Sequence, residues 1–299
     1  MKKLKHIPGL LHRAVLRAIR HDCFNLAQST AYSAIVSIFP ALIVAAAAVS
    51  LLPYTTPLRS QIAGIFTHIL PANVSLLFES YFVTSPHNPT SKHVLIIALL
   101  VSVSGASSVI ATLMEGVRRA NDLPSNCWNF FQRRLRALIL VPLSLVPFVA
   151  ASALIVFGHL ITEWIALQAM PFSRPTIFIL SSVIRWTAAL TASVAIVDVI
   201  YHLGTPMRQH WKRVIPGAVV ATLMWFIATI TFGWYVTRFA NYSRVYGSLG
   251  AGIALLFWLY IISFSVLCGA EFNTEFAARF LNSPAKDSTA SAPNTASHG

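Results

Sequence analysis

Apolar runs long enough to cross a bilayer recur six times along the chain. They extend from about Leu26 to Leu52, His93 to Leu113, Leu135 to Ile161, Ile177 to Tyr201, Pro216 to Arg238 and Tyr246 to Phe276. At a rise of ~1.5 Å per helical residue, about 20 residues span a hydrocarbon core of ~30 Å. The last run is the least interrupted. It opens on the small residues Gly247, Ser248, Gly250, Ala251 and Gly252 and carries no charged side chain from Leu249 to Ala270. A helix so uniformly apolar is expected to have the other runs packed around it. The predicted fold is all-α, a polytopic membrane protein with six transmembrane helices in one domain, residues 26–281.

The segments outside these runs have periods of their own. In residues 1–21, Leu10, Leu11, Ala14, Val15, Ala18 and Ile19 recur at helical spacing, with Arg13, Arg17 and Arg20 on the other face. This predicts a basic N-terminal interfacial helix within a cytosolic segment, residues 1–25, its cations turned toward anionic headgroups. Between the first two runs, Leu58, Ile62, Ile65, Phe66, Ile69 and Leu70 form one stripe and Val74, Leu77, Phe78, Tyr81 and Phe82 another. Prolines punctuate them, and two short amphipathic helices at the interface are predicted there. Residues 282–299 are small and polar and are expected to be a disordered cytosolic tail. Pro40 is expected to kink the first span, while Pro142 and Pro147 fall inside the third.

Composition sharpens this picture. Hydrophobic residues make up 56% of the chain and charged ones 10%, against about 25% charged in soluble domains. A net charge of +13 raises the question of nucleic acid, but the cations flank the apolar runs and form no continuous stripe. No nucleic-acid partner is expected; membrane lipids are. With the amino terminus inside, sixteen of the 22 Lys and Arg fall on the inner side, including a loop after the second span with Arg118, Arg119, Arg133, Arg134 and Arg136. The positive-inside rule then puts both termini in the cytosol. Cys23, Cys127 and Cys268 are odd in number and lack metal-ligand spacing, so free thiols are expected, and no cleavable signal peptide is predicted.

The sharpest candidate is Arg185, a cation within the fourth span. A guanidinium there costs ~2.5–3.5 kcal/mol on insertion scales unless it meets a partner or water. It reads as a contact for an anion or headgroup, or as a structural strut bound to a carbonyl or carboxylate. Asp198 lies thirteen residues further on, ~20 Å along the same helix, too far to pair with it. Asp198, Glu271 and Glu115 are all expected at cytosolic span ends, where Arg208, Arg213 or Arg20 would neutralise the first two and Arg118 and Arg119 the third. Salt bridging is the favoured reading over a proton relay. The ten histidines are scattered, without H-x-H or H-x-x-x-H, and no G-x-S-x-G occurs. No catalytic residue, metal or cofactor is expected.

Several of these residues fall in motifs that resemble a known family. Ala27-Gln28-Ser29-Thr30-Ala31-Tyr32-Ser33-Ala34, continued by Ser37-Ile38-Phe39-Pro40, is one such stretch. Tyr246-Gly247-Ser248-Leu249-Gly250, then Trp258-Leu259-Tyr260 and Gly269-Ala270-Glu271-Phe272-Asn273, is another. With Arg185, Asp198, Tyr201, Pro206 and the Trp211 to Gly217 stretch, they are similar to the YihY/BrkB family of bacterial inner-membrane proteins, once labelled ribonuclease BN. One departure is His202, where the resemblance leads one to expect a basic residue after the tyrosine. The resemblance implies a multi-pass inner-membrane protein linked to envelope integrity and serum resistance. It adds Tyr32, Pro40, Tyr246, Gly247 and Gly250 to the candidates, although a turn and a close-packed helix start account for the last three. A metal-dependent nuclease needs clustered His, Asp or Glu, so ribonuclease activity is not expected. The leading expectation is movement or export of a lipid-like or amphiphilic anion. The rival is a non-catalytic envelope scaffold or assembly factor, and a homo-oligomer or an envelope protein partner stays open.

Overall fold

The computed structural model describes residues 7–50, 89–168, 174–206, 211–238 and 242–280. They form helices α1 (Ile7–Arg20), α2 (Cys23–Ser50), α3 (Pro89–Ala120), α4 (Phe130–Gln168), α5 (Arg174–Leu203), α6 (Trp211–Arg238) and α7 (Tyr242–Phe280), with one 3-10 turn at Ser125–Cys127. No strand occurs among the described residues. Helices α2 to α7 are each long and apolar enough to cross a membrane, so the chain is an all-α polytopic membrane protein with six spans. The two amphipathic helices expected between the first two spans, and the expected tail, lie outside the described residues.

The helices overrun the apolar stretches that announced them. Arg118 and Arg119 stand in the last turn of α3, and Arg133, Arg134 and Arg136 in the first turns of α4. The expected arginine-rich loop therefore shrinks to residues 121–129. Backbone hydrogen bonding continues because these arginines find partners along the helices themselves. Pro216 likewise does not start the fifth span but lies inside α6. Asn273 of α7 repairs the turn there: its Oδ1 accepts from the Gly217 N–H at 2.6 Å, and its Nδ2 donates to the Val214 carbonyl at 2.8 Å. A proline in a span is tolerated where a neighbouring helix satisfies backbone groups in this way.

Helix α7 packs against α1, α2, α3 and α6, while α4 and α5 pair with each other at the side of this core. Lipid supplies no hydrophobic drive between helices, so close backbone approach at small residues substitutes for it. At the α6–α7 crossing, a Cβ on Gly217 would stand 2.2 Å from the Gly269 carbonyl oxygen, and one on Gly269 2.5 Å from that of Gly217. Only glycine fits at either position. At the α2–α3 contact, Gly105 faces the Ser37 side chain with the same lack of room. Outside, Leu100, Val146, Ile179 and Ile227 are among the exposed apolar side chains, as lipid-facing positions require.

Helix α1 forms over the basic stretch as expected, and α7 is what its apolar stripe packs on. Its apolar stripe, Leu10 and Ala14, is buried against Phe272 and Phe276 of α7. The stripe that suited a lipid surface is equally suited to an apolar helix, and α7 occupies it. Two aspartates in the left-handed region, Asp22 (φ 60°) and Asp122 (φ 53°), turn the chain after α1 and after α3. We call the end where α1 and these turns lie the basic end.

Candidate functional site

Three polar places stand out in an otherwise apolar bundle. At the basic end, Glu271 of α7 is wholly buried. Arg17 Nε donates to its Oε2 at 3.0 Å, and His21 Nδ1 lies 2.6 Å from its Oε1. Arg17 also reaches the Asp122 carboxylate at 2.9 Å, the Ala120 carbonyl at 2.9 Å and Glu275 at 3.6 Å. One arginine thus ties α1 to the ends of α3 and α7. Burial alone would lower the Arg17 pKa, but hydrogen bonds to Glu271 and Asp122 outweigh it and hold the pKa above the ordinary arginine value. Next to it, Glu115 pairs with Arg118 at 2.7 Å, Arg119 at 3.1 Å and Arg133 at 3.6 Å. Glu115 and Glu271 are therefore salt-bridged as expected, although Glu271 takes Arg17 and His21 in place of Arg20.

The second place is the α4–α5 face. Thr162 donates to Ser181 Oγ at 2.8 Å and joins the two helices. One turn along α4, Gly158 leaves room for the aliphatic stem of Arg185, whose Cδ would lie 3.6 Å from a Cβ there. No ion pair or hydrogen bond links the half-buried Arg185 to another described residue. Beyond it the helices separate into an apolar groove of about 570 Å³ between Leu154 and Pro147 on α4 and Val183 and Ala195 on α5, floored by alanines. At ~1.5 Å per residue the α5 wall runs ~18 Å. The groove opens sideways, toward where lipid lies.

The third place is the far end of α5. Asp198 is 6% exposed and its Oδ1 accepts no hydrogen bond. His202, one turn on, stacks its ring on Trp211 at 4.0 Å while its Nδ1 is also unpartnered. No ion pair to Asp198 occurs among the described residues, and Arg208, one of the arginines expected to neutralise it, lies outside them. Within this third place, Tyr201 is fully buried and donates its hydroxyl to the Val266 carbonyl of α7.

The remaining sequence candidates separate from these places. Tyr32 is 66% exposed on the outer face of α2, and Pro40 lies within the same continuous helix. Gly250 is buried in α7; Tyr246 and Gly247 fall in its first turns, where side-chain surroundings are outside the described residues.

The profile of the family described as Virulence factor BrkB matches residues 14–294. The chain belongs to that family. Among curated relatives of this BrkB chain, a protein of Bacillus subtilis (strain 168) named as ribonuclease-like, YfkH, is 28% identical over 85% of this chain and 90% of its own. A UPF0761 membrane protein of Nitrosospira multiformis is 25% identical over 90% of this chain and 61% of its own, so the chain spans about three fifths of that relative. Another, from Alteromonas mediterranea, is 26% identical over 88% and 86%. No solved structure gives a significant match. The relatives are thus named as membrane proteins, with the ribonuclease-like name on one. Among the described residues of this BrkB protein, no three His, Cys, Asp or Glu side chains gather as a metal site requires.

Sequence reasoning missed Arg17, His21 and Asn273. Arg17 carried a signal, since it lies one turn from Ala14 and next to Ala18, at the edge of the buried stripe. Arg134 was missed too: it turns back along α3 and bonds Ser108 Oγ at 2.9 Å and Ser104 Oγ at 3.0 Å. The small-residue run of α3 therefore both packs on α2 and seats an arginine.

Proposed function

We propose that this BrkB-family protein moves a lipid-like or amphiphilic anion, from a bacterial inner membrane in which both termini are cytosolic. The observation that carries this reading is Arg185: a cation within a span, without an ion pair among the described residues, at the head of a groove open to lipid. An intramembrane charge is costly unless something answers it. An anionic headgroup on the guanidinium, with its acyl chain along the alanine-lined groove, answers both the charge and the apolar walls. Movement fits better than catalysis, because among the described residues the groove offers only apolar side chains and the hydroxyls of Thr187 and Thr191, with no acid or base beside them. Membrane lipid, not nucleic acid, is the partner this arrangement suits. A non-catalytic scaffold is the second reading, favoured by the ion network that fixes α1 at the basic end, which is a holding device and not a pathway.

The test is to purify the protein in native-lipid particles and to identify co-purifying lipids by mass spectrometry for wild type, Arg185→Ala and Arg185→Lys. The expected outcome is an anionic lipid enriched in wild type, lost in Arg185→Ala and partly kept in Arg185→Lys, with melting temperatures unchanged. Unchanged lipid content with a lowered melting temperature would make Arg185 a strut and favour the scaffold.

A further inference from the structure

Asp198 differs from every other described acidic side chain. Asp22, Glu115, Asp122, Glu271 and Glu275 each lie within 3.9 Å of an Arg nitrogen. Asp198 has no such neighbour among the described residues, yet it is one of the most buried of them. Its Oδ1 and the Nδ1 of His202 are both unpartnered and stand one helical turn apart. Carboxylate oxygens accept only, and a neutral imidazole presents a lone pair on one nitrogen. A buried carboxylate oxygen without a donor, one turn from a ring nitrogen that is also unpartnered, is an unfavourable place for a negative charge unless a positive one is brought to it.

Among the described residues the surroundings supply none; Arg208, His210 and the Lys212 side chain lie outside them. On α5, Tyr201 beside Asp198 spends its hydroxyl on Val266, and His202 makes no hydrogen bond to the unpartnered Asp198 oxygen. Helix α6 presents Trp211 and has no ionisable side chain between Arg213 and Tyr235. Helix α4 has none between Arg136 and His159, and α3 none between His93 and Glu115. From α7, Cys268 adjoins the Tyr201 hydroxyl, and Glu271 is already held by Arg17.

We propose that Asp198 and His202 form a binding site for a small monovalent cation, a proton or Na⁺, at the basic end of α5. The site lies on the helix row that lines the groove, since Thr187, Thr191 and Ala195 continue at helical spacing to Asp198 and His202. Filling it changes the charge on the helix that carries Arg185, which gives the fold a place to couple an ion to whatever the groove carries. The site stands on its own geometry and does not require the groove to hold lipid.

The test is infrared difference spectroscopy on the full-length protein in lipid nanodiscs. In one arm the pH is lowered in Na⁺-free choline buffer; in the other Na⁺ replaces choline at fixed pH. A carboxyl band gained on acidification identifies the proton, and carboxylate bands that shift with Na⁺ identify the metal ion. Either signal is expected in wild type and lost in Asp198→Asn. His202→Gln is expected to keep the signal but move its midpoint. Identical spectra for wild type and Asp198→Asn in both arms, or a midpoint that His202→Gln leaves unmoved, would overturn the site.

Discussion

Glu271 and Asp198 are both buried carboxylates near one end of the bundle, on helices joined by the Tyr201 bond to Val266, and their surroundings are opposite. Glu271 is met by Arg17 and His21 from α1. Asp198 is met by a histidine that does not bond it. The difference lies in which elements converge. Glu271 sits where α1 docks on α7 near the end of α3, so three chain segments bring polar atoms to one point. Around Asp198 no ion-pair partner gathers among the described residues. A buried charge that the fold neutralises is a fastener, and one that it leaves open is a place for a ligand.

Removing the fastener gives the largest effect. Arg17→Ala leaves Glu271 buried without its arginine, and a loss of about 3–5 kcal/mol is expected, read as thermal unfolding in nanodiscs. Adding Glu271→Gln to that variant is expected to restore part of it, because the two residues act as one unit. A smaller loss is expected where the comparison depends on α6 and α7 staying close. Gly217→Ala puts a methyl against the Gly269 carbonyl and the Asn273 side chain, with a cost of about 1–3 kcal/mol. If Gly217→Ala melts as wild type does, the crossing is looser than the glycine pair implies.

Much of the architecture was legible because run length, proline placement and charge asymmetry are local signals. The six apolar runs became six spans, while the close approach of Gly269 to Gly217 was not foreseen, because it depends on which helix crosses there. The ends were less legible. Helix α3 continues through Arg118 and Arg119 because Glu115 sits one turn back to receive them, and hydropathy does not register that pairing. What covers the apolar stripe of α1 was not legible, since the stripe does not say whether lipid or another helix will lie on it. The same holds for Arg17 and Glu271, which are 254 residues apart. For Asp198, arginines nearby in sequence suggested a salt bridge. Burial on the α5 face beside Trp211 and Tyr201 keeps it from one among the described residues.

The most direct measurement sets Glu271→Gln beside Asp198→Asn, each nearly isosteric, in the same thermal unfolding experiment at neutral pH. Glu271→Gln is expected to lose ~3 kcal/mol, by leaving Arg17 without its buried counter-charge. Asp198→Asn is expected to stay within ~0.5 kcal/mol of wild type or to gain stability, since no partner is stranded. Equal losses in the two variants would contradict the contrast between the two carboxylates, because Asp198 would then be held as firmly as Glu271.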